Sequence, residues 1–176
     1  MKNIYCTLDT ETVGGAAHPT GMYNVGAIIH DRKGEILATT SLLVMEHYDE
    51  IALDDYAKKN FPVYAERLKA GEISAVATER EAYEVVKNLC DHYGVRYVMA
   101  YNSGFDFCKT CFGDLLDNFE FIDLYLMALE TITHKKSYAE YCREHGKRSK
   151  NGKTCATSVE AVYGYLHDNP DFTEEH

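Results

Sequence analysis

Residues 2–12 read KNIYCTLDTET, and residues 2–8 of this run are rich in β-formers, with Asp9 at its end and Glu11 two residues on. β-Branched and aromatic side chains such as Ile4, Tyr5 and Thr7 suit a pleated strand. In a strand, residues i and i+2 share a face, so Asp9 and Glu11 can aim at one point. Two converging carboxylates repel and raise each other's pKa unless a cation sits between them. Hard oxygen donors of this kind suit Mg²⁺ or Mn²⁺. A D-x-E pair is also what a solvated surface strand carries, so its meaning depends on what else the fold brings to it.

Outward from that run, Tyr23 to Ile29 reads as a second strand and Asp31-Arg32-Lys33-Gly34 as a turn. Ile36 to Val44 reads as a third strand, and a short Gly-containing turn makes the two an antiparallel hairpin, so strands one to three form a meander. Residues 46–76 show weaker periodicity and read as short helices and loop around Phe61-Pro62. From Thr78 the pattern sharpens into a helix, with a Thr N-cap, acids in the first turn, and Ala82, Val85, Val86 and Leu89 at helical spacing. Gly94 stands where a C′ glycine belongs. Tyr97 to Ala100 is a short apolar strand leading into Tyr101-Asn102-Ser103-Gly104-Phe105-Asp106. Phe119 to Ile122 reads as another strand with Asp123 at its end, followed by helices over 124–131, 138–145 and 158–166. The whole reads as a single α/β domain over 1–176. Asp106 by itself fits a helix N-cap, but strand ends of α/β sheets are also where sites gather. Three acids at two strand ends form a credible two-metal constellation.

The chain has 176 residues, 45% hydrophobic and 26% charged, which is ample for a buried core. Its N-terminus has no secretory h-region, and no run reaches the length of a membrane helix, so a cytoplasmic protein that makes no use of a membrane is expected. The six cysteines are therefore expected as reduced thiols. Cys108 and Cys111 form one C-x-x-C; zinc or redox chemistry is the competing reading, but Cys142 and His145 complete no common finger. The formal net charge of −10 argues against gripping nucleic acid by a basic surface alone, not against meeting phosphates through metal ions. Lys135, Lys136, Arg143, Lys147, Arg148, Lys150 and Lys153 crowd one late segment, which is either a phosphate-facing stretch or a solvated face.

The run LDTET (residues 8–12) and the run AYNSGFDF (residues 100–107) resemble the first and second motifs of the DEDD 3′–5′ exonucleases. That superfamily includes the proofreading subunit of DNA polymerase III, ribonuclease T and oligoribonuclease. The resemblance spans essentially the whole chain and implies a ribonuclease H-like fold, a mixed sheet of a three-strand meander plus parallel strands flanked by helices. YNVGAIIHDRKGEI and the tail SVEAVYGYLHDNPDFTEEH look most similar to exonuclease-like proteins of bacteriophages. In the histidine branch a His precedes the final Asp by five residues, and His176 matches that His. The last helix and its carboxylate are then expected to be missing from this chain. His167 has Phe172 five residues on, and Tyr163 and Tyr165 lack the Asp that the tyrosine branch requires.

The resemblance implies two divalent cations, Mg²⁺ or Mn²⁺, about 4 Å apart, held by Asp9, Glu11 and Asp106. It implies His176 as general base and release of nucleoside 5′-monophosphates from the 3′ ends of single-stranded DNA or RNA. Thr12 and Val13 would offer backbone groups to the terminal nucleotide. Phe105 or Tyr23 would flank a base or pack in the core, and Asn102 would brace the turn before Asp106. Asp123 is expected to ligate no metal. The alternative is a catalytically impaired nuclease fold that binds nucleic acid or a partner.

Overall fold

β1 (Ile4–Val13) pairs antiparallel with β2 (Gly21–Asp31), and β2 antiparallel with β3 (Ile36–Val44), which is the expected meander. The computed structural model describes residues 3–13, 21–52, 54–107 and 110–173, without the side chains of Phe105, Leu115 and Leu116. β4 (Ser74–Val76) adds in parallel to β3, and β5 (Tyr97–Ala100) adds in parallel to β1. With β6 (Glu120–Asp123) at the far edge, the described strands form one mixed sheet of order β4-β3-β2-β1-β5-β6. The fold is α/β with helices flanking this sheet, consistent with a ribonuclease H-like arrangement.

β1 is longer than the apolar pattern suggests: Asp9 and Glu11 lie inside it, not at its end. The segment before the long central helix also differs from its reading. It holds α1 (Tyr48–Ile51), the 15-residue α2 (Asp55–Lys69) with Pro62 inside it, and the short β4. Asp54 caps α2 by accepting from Ala57 N at 2.7 Å.

α3 (Glu79–Tyr93) forms as the sequence predicts. Thr78 Oγ1 accepts from Glu81 N at 3.1 Å, Glu81 Oε2 accepts from Ala77 N at 2.7 Å, and Gly94 closes the helix at φ 64°. Its Ala82, Tyr83, Val86 and Cys90 pack on the even-numbered face of β1 (Ile4, Cys6, Leu8) and on Val25, Ala27 and Ile29 of β2. On the opposite face, Ala57 and Tyr64 of α2 join Val13, Tyr23, Leu43, Ile51 and Ile73.

The register slips between Glu11 and Thr12, where β2 carries one extra residue, Tyr23. Because of this bulge, Met22 joins the α3-side core while Tyr23 joins the α2-side cluster.

The chain separates into two compact units, 1–122 and 123–175. In the second, α5 (Leu124–Ala128) runs into a π-helical turn over Leu129–Thr133, and α6 (Lys136–Glu144) packs with α7 (Val159–Leu166) through Tyr138, Tyr141 and Tyr165. The five described cysteines are free thiols, and Cys108 of the C-x-x-C lies outside the described residues. Among the described residues, no helix is long and apolar enough to cross a membrane.

Candidate active site

Parallel pairing of Tyr5 with Tyr97 and of Thr7 with Met99 brings the chain leaving β5 alongside residues 9 and 10 of β1. Asn102 turns that chain with a left-handed backbone, φ 64° and ψ 50°, and starts α4 (Ser103–Asp106). Asn is one of the few residues that accept this conformation. It caps with no side-chain hydrogen bond, so its part in the turn is conformational.

α4 delivers Asp106 to β1. Asp106 Oδ1 accepts from Thr10 N at 3.0 Å and from Thr10 Oγ1 at 2.7 Å. Past the end of β5, β1 has no ladder partner on that side among the described residues, and the carboxylate satisfies the backbone N–H in its place. Asp106 is the last residue of a helix and not an N-cap. Thr110 Oγ1 donates to its carbonyl oxygen.

Only 2% of Asp106 is exposed, and burial lifts its carboxyl from 3.8 to about 6. The two Thr10 hydrogen bonds oppose that rise, and the negative charge of Glu11 adds to it.

Glu11 is 8% exposed, and two tyrosines reach it. Tyr23 Oη donates to Oε2 at 3.4 Å, and Tyr64 Oη, from α2, donates to Oε1 at 3.3 Å. Burial first, and then the Glu11 charge, raises both phenols well above their ordinary pKa, so they remain donors. Asp9 also acts on Tyr64 in the same direction. Asp9 itself is exposed, and across the ladder from it stands Gly26, where an added Cβ would meet nothing within 4 Å.

The structure thus brings Glu11 and Asp106 into electrostatic reach of each other, with Asp9 on the same strand face as Glu11. It does not close them into a cage. Among the described residues, no group of three or more His, Cys, Asp or Glu side chains is placed to hold an ion. The donor chemistry, carboxylate oxygen throughout, still fits a hard divalent cation.

Thr12 is buried, and its Oγ1 has no hydrogen-bond partner among the described residues. Val13 is buried in the α2-side cluster. Tyr23 is fully buried, packs edge-on against Phe61 and Tyr64, and serves the site through its hydroxyl. Asp123 caps α5, accepting from Leu126 N at 3.0 Å. His176 and the side chain of Phe105 lie outside the described residues.

Sequence reasoning does not single out two members of the site, Thr10 and Tyr64. Tyr64 does leave a signal, because Ala57, Phe61, Tyr64 and Leu68 repeat at helical spacing across Pro62. Comparison of the chain with protein-family models finds no match, and comparison with curated proteins finds none either.

Proposed function

We propose that the chain is a metal-dependent 3′–5′ exonuclease that hydrolyses phosphodiester bonds at the 3′ ends of single-stranded DNA or RNA. The observation that carries this reading is a pair of buried carboxylates, Glu11 and Asp106, supplied by β1 and by the turn after β5, each within the field of the other. Burying two carboxylates within each other's field is unfavourable unless a cation compensates them. Asp9, Glu11 and Asp106 would hold Mg²⁺ or Mn²⁺, which when bound lowers the pKa of a water and stabilises the leaving 3′ oxygen.

Around that centre the chain's own residues have separate tasks. Thr10 fixes the Asp106 carboxylate through two hydrogen bonds, and Tyr23 and Tyr64 orient that of Glu11. Gly26 leaves space beside Asp9 for a terminal nucleotide. His176, which lies outside the described residues, would by the resemblance serve as general base for the attacking water, an imidazole having an ordinary pKa near 6.5.

The test is release of labelled nucleoside 5′-monophosphate from a 3′-labelled oligonucleotide, with Mg²⁺ or Mn²⁺ and with chelator. Release that needs the cation and disappears in Asp106→Asn supports the reading. A folded chain that leaves the oligonucleotide intact with both cations overturns it. The second reading, a nuclease fold that binds nucleic acid or a partner without cutting, draws on the unclosed carboxylate set. It gains if the oligonucleotide binds and is not hydrolysed.

A further inference from the structure

Four of the five described cysteines meet in two pairs. Cys6 of β1 and Cys90 of α3 hydrogen-bond to each other inside the core between sheet and helix, where both are fully buried. Cys142 of α6 and Cys155 form the other pair, and here only Cys142 is fully buried, while Cys155 is half-buried. Their side chains hydrogen-bond to each other, and the Tyr138 hydroxyl and the Ala156 N–H reach the same Cys142 sulfur.

The backbone holds the two thiols together. Lys147 N donates to Cys142 O at 2.9 Å, and Ala156 N donates to Lys147 O at 3.1 Å. Tyr138, one turn before Cys142 on α6, donates from its hydroxyl to Ala156 O at 2.7 Å. Arg148 and Cys155 pair as an antiparallel bridge, so the segment between the thiols doubles back on itself. That segment carries Arg143, Lys147, Arg148, Lys150 and Lys153 against the single acid Glu144. None of these cations forms an ion pair among the described residues, and all but Lys147 are exposed.

We propose that Cys155 and Cys142 are a redox modification site, closed into a disulfide by a small acidic disulfide such as oxidised glutathione. The Cys155 thiolate attacks one sulfur of the reagent, whose S–S bond breaks, and one glutathione leaves as its thiolate. Cys142 then attacks the Cys155 sulfur, and its proton passes to the second glutathione as that leaves. Two protein thiols are oxidised and one small disulfide is reduced to two thiols, so the exchange balances. The order follows from access, because a reagent meets the half-buried Cys155 before the covered Cys142. Burial also raises the Cys142 thiol above its ordinary pKa, so little of it is thiolate. The second step tolerates this because its partner sulfur is already in contact. The cations select the reagent: oxidised glutathione has a net negative charge, which a segment this basic attracts. Cys6 and Cys90 lie as close to each other, but without an opening to solvent.

The experiment treats the reduced full chain with oxidised glutathione at neutral pH, then maps the products by the mass of the intact chain and of peptides cut without reduction. The expected product has lost two hydrogens and joins Cys142 to Cys155, with Cys6 and Cys90 recovered as thiols on unfolding. Cys142→Ser should stop at the first step and keep one glutathione on Cys155, and Cys155→Ser should leave Cys142 a free thiol. Arg148→Glu/Lys150→Glu should slow the reaction with oxidised glutathione about tenfold and leave that with the neutral hydroxyethyl disulfide unchanged. Equal slowing with both reagents overturns the part given to the cations. A wild-type chain that keeps Cys142 and Cys155 as thiols, or joins either to another cysteine, overturns the proposal. That wild-type map decides the matter should a serine variant fail to fold.

Discussion

The two helices laid on the sheet meet very different surfaces. Under α3 the strands present Ile4, Cys6, Leu8, Val25, Ala27 and Ile29, an apolar layer closed by Ala82, Tyr83, Val86 and Cys90. Under α2 the tyrosine hydroxyls of Tyr23 and Tyr64 point at a buried carboxylate. One layer holds the sheet together and carries no charge, while the other places charge where water is scarce. Asp106 stands between the two layers, because its partner Thr10 is on the same face of β1 as Leu8 and opposite Val25, yet the apolar layer and the buried carboxylates use different side chains, so each can be perturbed separately.

The contrast between apolar and charged side chains is tested most severely at Asp106. Asp106→Asn keeps an oxygen that accepts from Thr10, so the fold should persist while cation-dependent hydrolysis falls on the order of 10³-fold or more. Mononucleotide release measured beside a thermal melt reads both. On the apolar side Leu8→Ala, at a residue 2% exposed, should cost about 3 kcal/mol in denaturant unfolding. The fraction that remains folded should turn over with little change. A large loss of turnover in Leu8→Ala would break the contrast.

The carboxylate pair also sets a pH dependence. Asp106 holds its proton more tightly folded, at about 6, than at its ordinary 3.8. Without cations its contribution is then fully present below its ordinary pKa and is lost as pH rises through about 6, a difference of at most roughly 3 kcal/mol. Unfolding in chelator at acid and at neutral pH should show this fall in the wild type and not in Asp106→Asn, which should be the more stable of the two at neutral pH. Added Mg²⁺ should restore the wild type alone. The smallest effect is that of Tyr64→Phe, which removes one long hydrogen bond to Glu11 and should cost about 1 kcal/mol and lower turnover by a modest factor.

The apolar side is legible in the sequence and the charged side only in part. Thr78 and Gly94 mark both ends of α3, and Ala82, Val86 and Cys90 show its buried stripe, because a repeating apolar spacing is visible without knowing the partner. The last residues of β1 escape because Thr10, Glu11 and Thr12 are polar and yet buried, and their partners come from far along the chain: Asp106 is 96 residues from Thr10. β4 is hidden because three residues carry no period. Pro62 masks α2 as a single helix, although its stripe of Ala57, Phe61, Tyr64 and Leu68 is intact. Asp9, Glu11 and Asp106 stand out as acids beside strands, but their burial does not. The exposure of Asp9 and the covering of Glu11 follow from where α2 ends up, a tertiary outcome.

The extra residue in β2 has a consequence for how this chain tolerates length changes. Tyr23 resets which side each neighbour faces, so Met22 and Val25 share one side although an odd number of positions separates them. Removing a single codon at this point would restore an ideal ladder and, by doing so, turn one end of β2 over relative to the other. Either the segment before it would lift Met22 out of the α3 layer, or the segment after it would drive His30 into oil and expose Ile29. Gene variants that gain or lose one residue here should therefore be far rarer than substitutions.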